Sequence, residues 1–442
     1  MKSTFEIDAY PGRPKILFIG FAQGSHTQSW IDLIQDADFN IRLFGLRVSG
    51  GLPPDDWPVK TYVTAYHPHE LNAANRRSLL ASKMRVRFYR LLGKFLRILG
   101  LQTLLVSAFA KQRWPFRQAE NCAPTVWLSL SDEDPESFWL AQIIRKWKPD
   151  IIHTMGLDPA GFVYQRARKW FYLEGIGKWV LQLRGGSDLT LNRHDPEMLP
   201  KLADALQECD QLLSDNAVNF QYAAEMGMPQ ERISELGTVP GTGGVDVAGL
   251  SQSWRDSPGQ RRLILWPKAY DSPWSKPLPI FEALRLAWDR IQPCEVHILA
   301  MNQETQNWFQ TLPDEIRNAC RTSWRIPRNK VMDLMLQARV MLAPSLIDGT
   351  PNVMFEAMAA GAFPILSPLD TITGLVEQGR NVLFARNLYP EEIAEALIRA
   401  MSDDELVDRA AELNLELVGR LANRKEIRPR VVHFYESMAG SR

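Results

Sequence analysis

Short apolar runs of four to six residues recur along the chain, each closed by glycine or a polar turn, with stretches of helical character between them. Lys15-Ile-Leu-Phe-Ile-Gly20 and Asn40-Ile-Arg-Leu-Phe-Gly45 read as buried strands, since runs this short suit a sheet covered on both faces. Further strands are expected at 125–128, 149–153 and 179–183, and helices at 28–35 and 137–148. Residues 251–261 break the alternation with Ser, Pro, Gly and charge. It restarts with strands at 262–266, 295–299, 340–343 and 363–366, separated by helices at 278–291, 330–337 and 352–360. Amphipathic helices at 390–401 and 404–421 follow, and a last one at 427–438. Strand–helix alternation of this kind predicts parallel sheets. The fold class is therefore α/β, with two Rossmann-like doubly wound domains facing across a cleft. The domains are expected at 1–248 and 249–424, with 425–442 crossing back to the first. Ligands of such sheets bind beyond the carboxyl ends of the strands.

One segment departs from this pattern. Residues 71–119 carry eleven Lys and Arg and no acid, so in a chain of 442 residues with 51 basic and 51 acidic residues the remainder carries a net charge of −11. Leu80, Met84, Phe88, Leu91, Phe95 and Ile98 recur at helical steps, and Lys83, Arg87, Arg90, Lys94 and Arg97 form a stripe beside them. Such a helix can lie on an anionic membrane through 76–97; a packed helix with a solvated basic edge fits the same pattern. Nucleic acid is not an expected partner, because the charge is confined to one segment and no reading motif accompanies it. A content of 45% hydrophobic and 23% charged residues excludes disorder and collagen-like structure. Cys122, Cys209, Cys294 and Cys320 form no C-x-x-C pair, which fits reduced thiols and gives no zinc signal. No apolar run approaches a membrane span, and residues 1–15 lack the apolar centre of a signal peptide. The expected location is cytoplasmic, with a peripheral seat on the inner face of the membrane.

The chemistry concentrates in Ala343-Pro-Ser-Leu-Ile-Asp348-Gly-Thr-Pro-Asn-Val-Met-Phe-Glu356-Ala-Met-Ala-Ala-Gly361. A strand ends near Ala343, and a loop carries Asp348 and Gly349. Thr350 suits an N-cap, Pro351 the first helical position and Gly361 the position after the helix. The free N–H groups of Asn352 and Val353 then point at an anion, most simply a phosphate. Glu356 lies about 7.5 Å along the helix from Pro351. Asp348 and Glu356 thus flank the phosphate position, one to each side of a diphosphate, where a nucleotide-sugar presents the hydroxyls of its sugar and its ribose.

This stretch resembles the E-x7-E motif of retaining GT-B glycosyltransferases of family GT4, with Asp348 in place of the usual first glutamate, shorter by about 1.5 Å. Other segments resemble the same family in the same order. The resemblance implies a donor-facing loop at Gly24, after the first strand, and a strand ending in His153, read here as structural. Arg184-Gly-Gly-Ser187-Asp188 stands where the family often has H-G-x-D, so Arg184, Ser187 and Asp188 are implied on the acceptor side or at a phosphate. Lys268 takes the place of the family's arginine and Lys276 that of its lysine, the pair that grips the donor diphosphate. Ile326 falls in the loop that touches the nucleobase through its backbone. Lys268, Lys276 and Asp348 are the implied catalytic residues. Donor contacts are implied for these three with Gly24, Ile326, Gly349, Thr350, Pro351, Asn352, Val353 and Glu356. The implied donor is a UDP- or GDP-sugar and the implied acceptor a lipid-linked or saccharide hydroxyl in surface polysaccharide, lipopolysaccharide or glycolipid synthesis. No cofactor and no metal are expected. The alternatives are a nucleotide-sugar epimerase on the same frame, or a binding module without catalysis. Asp132-Glu133-Asp134 matches the D-x-D metal motif of another fold but more simply caps the helix that follows. The seven histidines form no zinc pattern, and neither a P-loop nor a G-x-S-x-G elbow is present.

Overall fold

The computed structural model describes residues 10–46, 53–54, 56–64, 122–125, 135–324 and 326–440. The basic segment 71–119, the acidic run 132–134, residues 126–128 of an expected strand and residue 325 lie outside them.

Eight parallel strands form the first sheet: β1 (Lys15–Gly20), β2 (Asn40–Gly45), β3 (Lys60–Thr64), β4 (Cys122–Thr125), β5 (Ile151–Met155), β6 (Lys178–Leu183), β7 (Gln211–Ser214) and β8 (Ile233–Thr238). Their order is β4-β3-β2-β1-β5-β6-β7-β8. The second sheet holds β9 (Leu263–Trp266), β10 (Glu295–Leu299), β11 (Cys320–Ser323), β12 (Ala338–Ala343), β13 (Phe363–Leu366) and β14 (Leu383–Phe384), in the order β11-β10-β9-β12-β13-β14. Strand order reverses beside β1 in the first sheet and beside β9 in the second, which opens a crevice at the carboxyl end of each. The central strands are apolar on both faces because helices cover both: β5 and β12 are buried along their whole length. In the second domain the helix Leu278–Ile291 turns Ile280, Phe281, Leu284, Ala287, Trp288 and Ile291 onto the sheet, where they share a core with Ile393, Leu397 and Met401 of the helix Pro390–Ser402.

The closing helix, Arg424–Gly440, packs on the first domain. Its Ile427, Val431, Phe434 and Tyr435 join Ile16, Phe18 and Trp30 in one core, and burial of each large side chain contributes about 2 kcal/mol. The chain reaches this helix beside its earlier exit from the first domain: Val245 donates its N–H to Ala422 (2.8 Å) and Arg424 donates its own to Val245 (2.9 Å). The Arg424 guanidinium adds bonds to the carbonyls of Ser29 (2.9 Å) and Thr242 (3.0 Å).

Where the elements differ from expectation, the cause is local. The first helix runs Ser25–Ile31, three residues ahead of its expected start. β11 was not legible because Cys320–Ser323 is a mixed polar edge segment whose register comes from pairing with β10. β14 is two residues long. No helix among the described residues is long and apolar enough to cross a membrane.

Gly244 sits at this return crossing with φ +87°, and a Cβ there would overlap the Ala422 carbonyl oxygen. Gly244→Ala is expected to cost about 2 kcal/mol and to lower Tm by several degrees in a thermal melt; an unchanged Tm would show that the crossing is not a fixed contact.

Candidate functional site

The carboxyl ends of both sheets face one cleft of about 340 Å³. From the first domain, the first turn of the helix after β1 delivers His26, the loop after β6 Arg184 and Gly185, that after β7 Asp215, and that after β8 Gly241 and Thr242. From the second, Lys268 follows β9, Ile326 follows β11, and Asp348, Thr350, Pro351, Asn352, Val353 and Glu356 follow β12. Arg328, Val331 and Met335 of the helix Arg328–Gln337 complete the wall. The two halves meet through glycines. A Cβ on Gly186 would strike Ile347 and the backbone of Asp348, and one on Gly349 would stand 2.7 Å from the Asp215 carboxylate and 2.9 Å from Gly185 Cα.

The helix Asn352–Ala359 begins in this cleft with no side-chain cap, and Pro351 is its N-cap residue. This corrects the expected cap at Thr350, whose hydroxyl donates instead to the Thr371 carbonyl (3.2 Å). The Asn352 side chain is committed to the other domain. Its Oδ1 accepts from the Thr242 hydroxyl (2.9 Å) and N–H (3.2 Å), and its Nδ2 lies 3.3 Å from His26 Nδ1. The first N–H groups and the positive dipole end therefore face the cleft. The other end of this helix closes as expected: Gly361 takes φ +80°, and the N–H groups of Gly361 and Ala362 return to Met358 and Ala357.

Each acid flanking the helix start is held by a cation. Lys268 Nζ donates to Asp348 Oδ2 (2.8 Å), and Arg328 Nη2 donates to Glu356 Oε1 (2.7 Å). Burial opposes the Lys268 charge, but Asp348, Tyr270 and Glu356 outweigh it and its pKa is raised. Asp215 is buried, which pushes its pKa up to about 6, helped by the charge of Asp348; bonds from Asn216 Nδ2 and the Gly185 N–H and the charge of Arg184 oppose the rise. His26 opens onto the cleft. Desolvation in the cleft and then the charges of Arg184, Lys268 and Arg328 pull its pKa down to about 3.

Four other expected residues stand elsewhere. The Gly24 N–H is spent on the turn to the Phe21 carbonyl (2.9 Å) and does not line the cleft. Lys276 is absent from the lining as well: its ammonium pairs with Asp271 (2.7 Å) and its N–H donates to Asn387 (3.0 Å). The Asp188 carboxylate is buried beneath the loop and accepts the N–H groups of Arg184 (2.8 Å) and Asp158 (3.3 Å), a structural role. Ser187 lies in the same turn, Ser187–Leu191. Sequence reasoning missed Arg328, Asp215, Thr242 and the ring of His26. Arg328 opens a helix two residues past Ile326, and Asp215 directly follows a strand, so position at the boundary of an element was the available signal. Among the described residues no group of three His, Cys, Asp or Glu is placed to hold a metal ion.

Residues 276–403 match the model of the family described as Glycosyl transferases group 1. Among curated proteins, none matches the sequence. The fold is similar to that of Alr3699/HepE of Anabaena, solved in complex with UDP-glucose, with TM-score 0.61 at 13% identity over 96% of this chain and 99% of that one. It is also similar to sucrose-phosphate synthase of Thermosynechococcus elongatus, with TM-score 0.62 at 13% identity over 97% and 100% of the two chains. A third similar structure is the lipopolysaccharide outer core galactosyltransferase WaaB, with TM-score 0.54 at 13% identity over 96% and 99%. The chain thus has the two-domain GT-B architecture, and the part of it that matches the glycosyl transferases group 1 model lies in its second domain.

A histidine whose folded pKa is depressed binds its proton less well in the native than in the unfolded state, so stability falls as pH drops from about 6.5 toward 3. His26→Gln removes this term. Between pH 7 and pH 5 the parent should therefore lose more Tm than the variant; identical pH profiles would show that His26 titrates normally.

Proposed function

We propose that the protein is a retaining glycosyltransferase that moves a sugar from a nucleoside diphosphate sugar to an acceptor hydroxyl. One observation carries this reading: an uncapped helix start between two acids, each acid held by a cation, at the point where the carboxyl ends of both sheets converge. The match of residues 276–403 and the shared fold support it.

In this scheme the diphosphate sits at the N–H groups of Asn352 and Val353, with Ile326 beside the base, Glu356 at the ribose and Asp348 at the sugar. The bond between the anomeric carbon and the terminal phosphate oxygen breaks, and charge accumulates on the leaving diphosphate. Lys268 and Arg328 neutralise that charge, and the helix start adds its dipole. Arg328 takes the part expected of Lys276. Partly exposed ion pairs contribute about 1 kcal/mol or less, so the pairs of Lys268 and Arg328 exchange readily for phosphate oxygens. Binding then releases Asp348 and Glu356 to accept hydroxyls. The acceptor proton passes to the departing diphosphate on the same sugar face, and no separate general base is required.

The donor is a UDP- or GDP-sugar, and the acceptor a lipid-linked or saccharide hydroxyl of a surface polysaccharide, lipopolysaccharide or glycolipid. The basic stripe of 76–97 is the proposed contact with an anionic membrane, which places the enzyme on the inner face; binding to anionic vesicles should weaken as salt rises. An epimerase on the same frame is the second reading, favoured by Asp215, a carboxyl that lines the cleft and whose pKa burial pushes up to about 6.

A thermal-shift screen of nucleoside diphosphates and their sugars identifies the donor, since a selective ligand raises Tm. With that donor, Lys268→Ala and Glu356→Ala are each expected to cut turnover about tenfold or more, and Lys276→Ala to cost less. Near-parental transfer by both of the first two variants would overturn the assignment. Isomerisation of the donor without any acceptor would favour the epimerase.

A further inference from the structure

We propose that Arg184 receives a phosphoryl oxygen of the substrate, and that the buried His153 is a positioning residue that aims it through Gln182. The phosphoryl identity rests on the reading of the cleft given above; the positioning rests on the protein's own contacts.

Of the three cations lining the cleft among the described residues, two form ion pairs with carboxylates and one does not. Lys268 pairs with Asp348 and Arg328 with Glu356. Among the described residues Arg184 forms no ion pair. Its guanidinium makes one hydrogen bond, from Nε to Gln182 Oε1 (3.0 Å), and its Nη2 is buried without a partner. The face of Trp30 lies 5.8 Å away. Burial draws the Arg184 pKa down to about 10, against the charges of Asp215 and Asp188, neither of which bonds to the guanidinium. A guanidinium carries five N–H donors in a fixed fork that matches phosphate geometry. A buried donor without a partner is costly, and an anionic oxygen entering the cleft satisfies it.

What aims the guanidinium is a chain of buried hydrogen bonds that starts in the closing helix. Trp30 Nε1 donates to the Tyr435 hydroxyl (3.0 Å), which lies 2.6 Å from His153 Nδ1; His153 Nε2 lies 3.2 Å from Gln182 Oε1. Trp30, Tyr435, His153 and Gln182 are at most 1% exposed. The direction of each bond follows from the ends. Arginine and tryptophan N–H groups can only donate, so the atom facing Arg184 Nε is the Gln182 carbonyl oxygen. His153 Nε2 therefore carries the proton that meets the same oxygen, and Nδ1 accepts from Tyr435. Burial and the charge of Arg184 keep this ring neutral, as the scheme requires. Gln182 Nε2 has no partner among the described residues, so only His153 fixes the amide plane from behind. Without the Tyr435 hydroxyl, the Nδ1–H tautomer becomes accessible, Nε2 turns from donor to acceptor, and Gln182 is free to rotate away from Arg184.

The test measures inorganic phosphate binding by calorimetry in the parent, Tyr435→Phe, Gln182→Met and Arg184→Ala, and in the two double variants that combine Arg184→Ala with each of the others. Arg184→Ala is expected to weaken phosphate about tenfold or more, and Tyr435→Phe and Gln182→Met about threefold to tenfold. In the Arg184→Ala background the latter two should have almost no effect, because their action runs through the guanidinium. Phosphate displaced by saturating UDP assigns the contact to the donor diphosphate, and phosphate bound alongside UDP assigns it to the acceptor; either supports the proposal. Failure of UDP to bind would remove the donor reading and leave the phosphate result standing. The proposal is overturned if the parent binds no phosphate, if Arg184→Ala binds it unchanged, or if the Tyr435 and Gln182 changes weaken binding equally with and without Arg184. Should a buried variant fail to fold, long-range nitrogen–proton NMR of the parent decides the relay: an Nε2–H tautomer at His153 supports it and an Nδ1–H tautomer refutes it.

Discussion

The site depends on what one side chain does instead of the obvious thing. Asn352 opens a helix, where an amide commonly caps its own backbone, yet its oxygen accepts from Thr242 and its nitrogen reaches His26, both in the other domain. The helix start is left bare and is also held against the first sheet. Two results follow from one residue: unsatisfied N–H groups at a fixed place, and a cleft whose two walls share a hydrogen-bonded joint. The glycines at 186 and 349 make the joint sterically feasible, since a side chain on either would collide with the facing loop.

Around that joint the charges are arranged unevenly. Two acid–cation pairs stand where they can open to a doubly charged ligand at little cost, because each is partly exposed. Among the described residues Arg184 forms no such pair, and it is braced from behind by neutral groups. The buried acids of the first domain divide by task. Asp188 is used on backbone N–H groups of the loop that presents Arg184, whereas Asp215 stands in the cleft beside Asp348.

The sequence was most legible where local pattern and tertiary structure agree. The runs at 15–20, 40–45, 295–299 and 363–366 are strands as read, and the helices at 278–291 and 404–421 match to the residue. A long apolar run leaves few alternatives once helices cover both faces. The segment 348–356 was legible too, since Pro351, Asn352 and Gly361 announce the ends of a helix. Partnership was not legible. Thr350 looks like a cap in any sequence, and only the fold shows its hydroxyl turned to Thr371. Lys276 looks as available as Lys268 until Asp271 is found beside it. Arg328 and Asp215 carry no motif, and their role arises from loops brought together by two separate sheets. The polar edge strand β11 likewise exists through its neighbour rather than through its own residues.

The closing helix also has a consequence for the order in which the protein can be assembled. Trp30, Phe18 and His153 belong to the first domain, but the residues that seal them, Tyr435 and its neighbours, are synthesised only after the whole second domain. While the nascent chain is still on the ribosome, that half carries an open apolar trough and an indole N–H without its acceptor. Such a half-built domain is prone to self-association and to chaperone capture. Completion of the first domain is thereby made contingent on that of the second, so a prematurely released fragment would lack a finished first domain.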